Sequence, residues 1–421
     1  MQSPESPESI VSTSSLPQAP IILLRLPNWL GDGVMSTPCL ELLFSHFPQA
    51  RIYLAAPRAV LELFANDRRI AGVFIDESKR SGGGVRILGR FGATCAFGRE
   101  IRTAIKHAEQ GREIDIAITL TNRFFSALLL YASGARMCIG YTKGIGKTLG
   151  KALLTHPLPR PKGIHQVASY ANLLSPIISS GLSLDSHAIP PLCLHAQCLD
   201  SHTPESNVDS RDLSRIGLNP GAAYGSAKCW EPRYFARLAA HLAGQGKQVV
   251  LYGVAGDSEL AEEIINQAKA LYTQTHKENP PSERFINACG KTSIQSLMSQ
   301  MSELSAFITN DSGSMHIAAA LGVPTLALFG PTNSSETSPW KAPNARILSI
   351  YAPCAPCKKR TCPIPANNPD HHRCMRDLTP EIVLDALESL LRDFSSMPAH
   401  QAAFPPLSSL QSCPKGAIHA T

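Results

Sequence analysis

The chain has 421 residues, enough for two domains with separate cores, and its 43% hydrophobic and 17% charged residues are those of an ordinary globular protein. An excess of 39 basic over 33 acidic residues, formally +6, is too small and too dispersed for a nucleic-acid binder, but it suits anionic small substrates or an anionic membrane face. No apolar run approaches the ~20 residues of a membrane helix, and twelve cysteines without a recognisable secretion signal predict a cytoplasmic protein with reduced thiols.

Residues 1–20 (MQSPESPESIVSTSSLPQAP) lack a basic start and an apolar core and are expected to form a disordered tail. Ile21 to Leu26 (IILLRL) is a short apolar run stopped by Pro27, the pattern of a buried parallel strand. After a glycine turn, Thr37 is placed to cap a helix and Pro38 to occupy its first turn, with Leu40, Leu43, Phe44 and Phe47 at helical spacing. RIYLAA from Arg51, a helix in VLELFAND from Val60, then GVFID and IDIAITL from Ile114 continue the alternation. This predicts an α/β domain, residues 21–182, with a parallel sheet covered on both faces. From about Ser183 to Asp212 the sequence is polar and rich in turn residues, which predicts an interdomain linker. Alternation restarts with RIGLNP, a helix from about Pro232, KQVVLYG, a helix from Ser258, FINACG, SAFITN, a helix through MHIAAALG, and PTLALFG. A second doubly wound domain is therefore expected over 213–377. Leu378 to Phe394 predicts a last helix (378–395), with Ile382, Leu384, Leu387 and Leu391 among its apolar positions, before a flexible tail over 396–421.

Two such domains joined by a linker place a cleft between the carboxyl ends of two parallel sheets, where ligands bind in doubly wound folds. Three loops are expected to face it. The first, LPNWLGDGVMSTP, exposes Asp32 on a turn directly after a strand, and Gly31 and Gly33 allow close backbone approach to a ligand. Taken alone, these residues favour an aspartate that bonds its own turn. The second, NPGAAYGSAKCWEP, offers backbone amides at a helix start to a phosphate, with Lys228 adding charge; alternatively Lys228 is a solvated loop lysine. The third, TNDSGSMHIAAALG, presents the amides of Ser312 to Ser314, the Ser312 hydroxyl and the His316 imidazole to a diphosphate. Asp311 cannot favour a bare phosphate, so it is expected to point to a ribose, a sugar hydroxyl or a backbone amide. The competing reading makes Asp311 and Ser312 helix caps and His316 a half-buried histidine. GxGxxG, GxxxxGK[ST], GxSxG and HExxH are all absent, which weighs against NAD, P-loop, hydrolase-elbow and zinc-protease chemistry.

In order and spacing, RLPNWLGDGVMSTP, LNPGAAYGSAKCWEPRYFARLA and TNDSGSMHIAAALGVPTLALFGPT resemble the bacterial ADP-heptose:lipopolysaccharide heptosyltransferases, in particular their heptosyltransferase II branch, over roughly Ile21 to Phe394. The resemblance implies a GT-B fold, two facing Rossmann-like domains with the nucleotide-sugar bound mainly by the second. It also implies transfer of heptose from ADP-L-glycero-β-D-manno-heptose to the lipopolysaccharide inner core, the second heptose, with inversion of the anomeric centre. A single displacement needs one base and electrostatic support for the departing diphosphate. Matched position by position, Asp32 is the base and Lys228 stabilises phosphate. Asp311, Ser312, Gly313 and His316 line the donor site, while Gly253, Asp257 or Glu259 of LYGVAGDSEL meet the nucleoside or cap the following helix. No cofactor is expected, and no divalent metal is required if Lys228 and a helix N-terminus neutralise ADP. Asn28, Arg123 and Lys143 or Lys147 are the candidates for the acidic acceptor, and His165 resembles a position near the cleft or is packing. The lipid acceptor implies peripheral contact with the inner face of the inner membrane.

Cys354, Cys357, Cys362 and Cys374 form C-x2-C-x4-C-x11-C beside His371 and His372, either a reduced, turn-rich loop or a structural zinc site of unusual spacing. Two other functional classes use the same lobes: a nucleotide-sugar 2-epimerase and a non-enzymatic nucleotide-sugar binder.

Overall fold

The computed structural model describes residues 16–77, 86–142, 149, 152–178, 187–195, 212–396 and 418–419. Its first sheet contains β1 (Ile21–Arg25), β2 (Arg51–Ala56), β3 (Ile70–Ile75), β4 (Ile116–Thr119), β5 (Met137–Tyr141) and β6 (His156–Leu158), ordered β3-β2-β1-β4-β5-β6. All neighbouring pairs are parallel, and Ile418–His419 add a two-residue pairing outside β3. The second sheet contains β7 (Asp212–Asn219), β8 (Gln248–Leu251), β9 (Phe285–Asn287), β10 (Leu304–Asn310), β11 (Thr325–Phe329) and β12 (Ala345–Ser349), ordered β12-β11-β10-β7-β8-β9 and again parallel. Each sheet thus starts at its centre and winds both ways, so its strand order reverses beside β1 and β4 in one and β7 and β10 in the other. Loops leaving the carboxyl ends of these strands open at the two reversal points, where ligand crevices form.

The apolar runs explain the layers. Every residue of β1, β4, β5, β10 and β11 is buried, as parallel strands covered on both faces require. Pro232 opens the helix Pro232–Gly244, and the helix Ser258–His276 stops at Lys277, whose φ of 62° is left-handed. The last helix, Pro380–Ser395, buries Val383, Leu387 and Leu390 against the second sheet's core, while Ile382 stays exposed.

Several elements are absent from the expectation: the helices Arg86–Ala108, Phe124–Ala132, Gln166–Asn172 and Ile294–Ser302, and the strands β5, β6 and β12. The first helix after β1 also starts earlier than Thr37. Leu30–Met35 is already helical, and Thr37–His46 follows it with Pro38 in its first turn.

The two units share a core. One apolar cluster runs from Ile22, Leu24, Val34 and Leu40 of the first to Tyr252, Met298, Phe307, Ile317 and Val323 of the second. Within the linker region, residues 187–195 are packed into this junction. Ile189, Leu192 and Leu194 are buried, Trp340 Nε1 donates to Pro190 O at 3.1 Å, and Lys341 Nζ donates to Ile189 O at 2.6 Å.

Candidate active site

Asp32 follows β1 in the first turn of the helix Leu30–Met35 rather than in an open loop. Its Oδ1 accepts a hydrogen bond from Tyr170 Oη at 2.8 Å, and Tyr170 is buried in the helix Gln166–Asn172. Burial dominates the carboxyl and holds it above the usual carboxylate range. The Tyr170 bond and then the charges of Arg160 and Lys228 pull it back down, whereas Asp311 adds to the rise. Two cations, one from each unit, therefore act on one buried carboxylate.

Both glycines beside Asp32 meet protein, which corrects the expectation that they leave room for a ligand. A Cβ on Gly31 would lie 2.9 Å from the His316 ring and 3.2 Å from Gly313 Cα, across the junction. One on Gly33 would lie 2.9 Å from a Val60 methyl. Gly31 and Gly313 thus let the helices Leu30–Met35 and Gly313–Ala320 touch backbone to backbone.

In the second unit, Lys228 sits in a turn between β7 and the helix Pro232–Gly244 and pairs with Asp311, Nζ to Oδ2 at 2.6 Å. Thr332 Oγ1 donates to the same oxygen at 2.6 Å. Asp311, expected to face a sugar hydroxyl or an amide, is instead the counter-ion of Lys228; two buried opposite charges at hydrogen-bond distance relieve each other's desolvation. Ser312 Oγ bonds Thr309 Oγ1 at 3.0 Å and Ser314 Oγ at 2.8 Å, and Asn219 Nδ2 also donates to Ser314 Oγ. Ser312 precedes the helix Gly313–Ala320 without a side-chain cap bond, so the cap reading fails there. His316 is buried, and desolvation pushes its pKa down to about 4. The imidazole is neutral at pH 7 and brings no positive charge to a diphosphate.

Several of the remaining candidates have partners of their own. Asp257 Oδ2 accepts from Val254 N at 3.0 Å and overlies Gly221 and Gly253, so it closes its own turn. Glu259 is exposed in the first turn of the helix Ser258–His276. Asn28 Oδ1 accepts from Arg25 Nη2 at 2.8 Å, while buried Arg25 also pairs with Asp76. Arg123 is exposed just before the helix Phe124–Ala132. Lys143 and Lys147 lie outside the described residues. His165 is a junction residue: its Nδ1 accepts from Val167 N at 3.2 Å and its Nε2 donates to Ser338 O at 2.9 Å. Sequence reasoning did not single out Tyr170, Arg160 or Thr332. Tyr170 and Asp32 are 138 positions apart, and no local pattern announces the pair.

Cys374 is buried and its thiol is pushed up to about 11, first by burial and then by the facing Cys354, Cys357 and Cys362. Among the described residues, no three His, Cys, Asp or Glu side chains are arranged to hold a metal. His371 and His372 each have a ring nitrogen bonded to a main-chain carbonyl, of Ile364 and Ala227 respectively. The cysteine-bearing loop braces the Lys228 turn: Ala227 N donates to Arg360 O at 3.0 Å, and Tyr224 Oη to Lys358 O at 2.9 Å.

Residues 102–367 match the glycosyltransferase family 9 (heptosyltransferase) profile. The chain belongs to glycosyltransferase family 9. That span holds Arg160, Tyr170, Lys228, Asp311 and His316; Asp32 precedes it. Whole-chain relatives of this family-9 protein include the lipooligosaccharide heptosyltransferase 2 of Campylobacter jejuni, 30% identical over 88% of this chain and 98% of the relative. The lipopolysaccharide heptosyltransferase 2 of Escherichia coli is 29% identical with the same coverage of both chains. The solved E. coli ADP-heptose lps heptosyltransferase II superposes with a TM-score of 0.66 at 27% identity, covering 89% of this chain and 99% of that one. The two facing doubly wound domains are thus the GT-B architecture of this family, and the protein is a glycosyltransferase rather than an epimerase or a non-catalytic binder.

Proposed function

We propose that this family-9 enzyme moves L-glycero-D-manno-heptose from ADP-heptose to the inner core of lipopolysaccharide, adding the second heptose with inversion. The observation that carries the reading is the meeting, at the two reversal points, of a buried carboxylate (Asp32) with a phosphate-compatible cation (Lys228). The names of the C. jejuni and E. coli relatives support the donor and the acceptor.

In this reading residues 21–182 receive the acceptor and residues 213–377 hold the donor. Asp32 takes the proton of the attacking acceptor hydroxyl, whose oxygen displaces ADP from the anomeric carbon. Lys228 turns from Asp311 to the departing diphosphate, and the Asp311–Ser312–Gly313 turn lines the donor site. General-base action contributes roughly 10²–10⁴-fold; positioning and charge stabilisation supply the rest. Arg160, whose charge acts on Asp32, joins Asn28 and Arg123 as a contact for the acidic acceptor.

The enzyme works in the cytoplasm, in peripheral contact with the inner membrane where a lipid-linked acceptor is presented. Among the described residues no helix is long and apolar enough to cross a membrane. Trp29, beside Asp32, is 58% exposed, and Leu88 and Phe91 of the basic helix Arg86–Ala108 are exposed as well. Such apolar side chains among basic ones suit an interfacial contact. The testing experiment compares wild type with Asp32→Asn on ADP-heptose and a core acceptor carrying one heptose. Loss of transfer with donor binding retained supports the base; near wild-type turnover removes it.

A further inference from the structure

We propose that Tyr170 is the positioning residue of the base, holding one oxygen of Asp32 so that the other is aimed at the acceptor hydroxyl. The inference rests on Asp32 being the base. Tyr170 Oη donates to Asp32 Oδ1 at 2.8 Å, a direct bond to the carboxylate. A carboxylate held at one oxygen keeps Oδ2 free to receive the proton as the acceptor oxygen attacks C1. The electron pair of the breaking C1–O bond leaves with ADP.

The residue that carries this hydroxyl is held by contacts that reach both domains. Tyr170 is buried, and its carbonyl accepts from Cys39 Sγ at 3.8 Å on the helix Thr37–His46. Its own helix, Gln166–Asn172, is capped by His165, which binds Ser338 O and lies 4.7 Å from the Trp340 ring. Trp340 in turn bonds the packed 187–195 segment. The base's anchor is therefore linked to the second domain through His165, and its aim depends on the two domains being docked. Burial and the neighbouring Asp32 hold the Tyr170 phenol well above its ordinary pKa, so it remains a donor throughout the working range.

The groups facing Asp32 are Tyr170, Arg160, Lys228 and Asp311, with neutral His316 packed against Gly31. Of these, only Tyr170 combines a direct bond with a neutral side chain, so removing its hydroxyl leaves the surrounding charges as they are. Donation to a carboxylate favours its charged form. Tyr170→Phe is thus expected to lower kcat about tenfold at neutral pH, to leave the donor KM within about twofold, and to move the acid limb of the transfer rate up by roughly one pH unit. Difluorotyrosine at position 170, a stronger donor with the same ring, is expected to move that limb down.

The test is the pH profile of heptose transfer by the full chain, with Asp32→Asn measured alongside. Opposite shifts for the two Tyr170 replacements establish positioning, since a packing role would not change sign. Superimposable profiles for all three Tyr170 forms, with Asp32→Asn inactive, overturn the role of Tyr170 alone. Retained turnover in Asp32→Asn overturns the base itself. If Tyr170→Phe does not fold, the difluorotyrosine shift decides.

Discussion

In the proposed mechanism, burial of Asp32 serves catalysis at a cost to stability. Burial raises its pKa in the folded state above the unfolded value, so its contribution to stability is greatest below the unfolded pKa and is lost as pH rises through the folded one. Asp32→Asn is therefore expected to melt no lower than wild type at pH 7 while losing about 10²-fold or more in turnover, a pair of outcomes that thermal melts and transfer assays read separately. With Asp32 as the proposed base, acting deprotonated, the rate is expected to fall as pH drops through a limb lying above the ordinary carboxylate range. His316 works the other way: its folded pKa of about 4 lies below the unfolded value, so the stability it permits is present above about pH 6.5 and is lost on acidification toward 4. Lys228→Ala strips Asp311 of its counter-ion, and both a lower melting temperature and a turnover loss of about 10²-fold are expected, because an uncompensated buried charge remains. At this scale the motif loops named Asp32, Lys228 and Asp311 but not their partners. Asp311 was expected on a sugar or an amide and lies on Lys228. Tyr170, Arg160 and Thr332 come from other elements, and only folding brings them together.

Elements fix these geometries by contact rather than by loop freedom. Gly31 illustrates the difference: beside an aspartate it suggests space for a ligand, yet it is the contact point of two helices from two domains. Gly31→Ala adds a methyl 3.2 Å from the Gly313 backbone, and a loss of about 1–3 kcal/mol in stability with impaired transfer is expected. Chemical denaturation together with the transfer assay checks it; wild-type values for both would show that the helices separate freely. The strands were legible because parallel strands buried on both faces are written as continuous apolar runs such as IILLRL and PTLALFG. The helix Arg86–Ala108 was not: its glycines and scattered arginines blur the 3.6-residue period. Leu30–Met35 is six residues long and carries two glycines, poor helix formers, so nothing local foretold it. The cysteine pattern describes either a reduced, turn-rich loop or a metal motif, and in the fold this loop braces the turn that carries Lys228.

For the whole molecule, the strand–helix alternation foretold two doubly wound parallel sheets, and their strand orders put the loops carrying Asp32, Lys228 and Asp311 at the two reversal points. What the alternation did not reveal is the junction. Its apolar cluster draws on residues from Ile22 to Val323, and each contributing segment looks like ordinary core in isolation. A shared core of this kind couples the domains, so calorimetry should show a single unfolding transition rather than two separated ones. The most direct test of the enzyme's action is product analysis: purified full-length protein, ADP-heptose and a lipopolysaccharide acceptor truncated after its first core heptose. The predicted result is one heptose added to that acceptor in α-linkage, with one ADP released per transfer. Release of ADP without heptose incorporation, or incorporation with the β configuration retained, would contradict it.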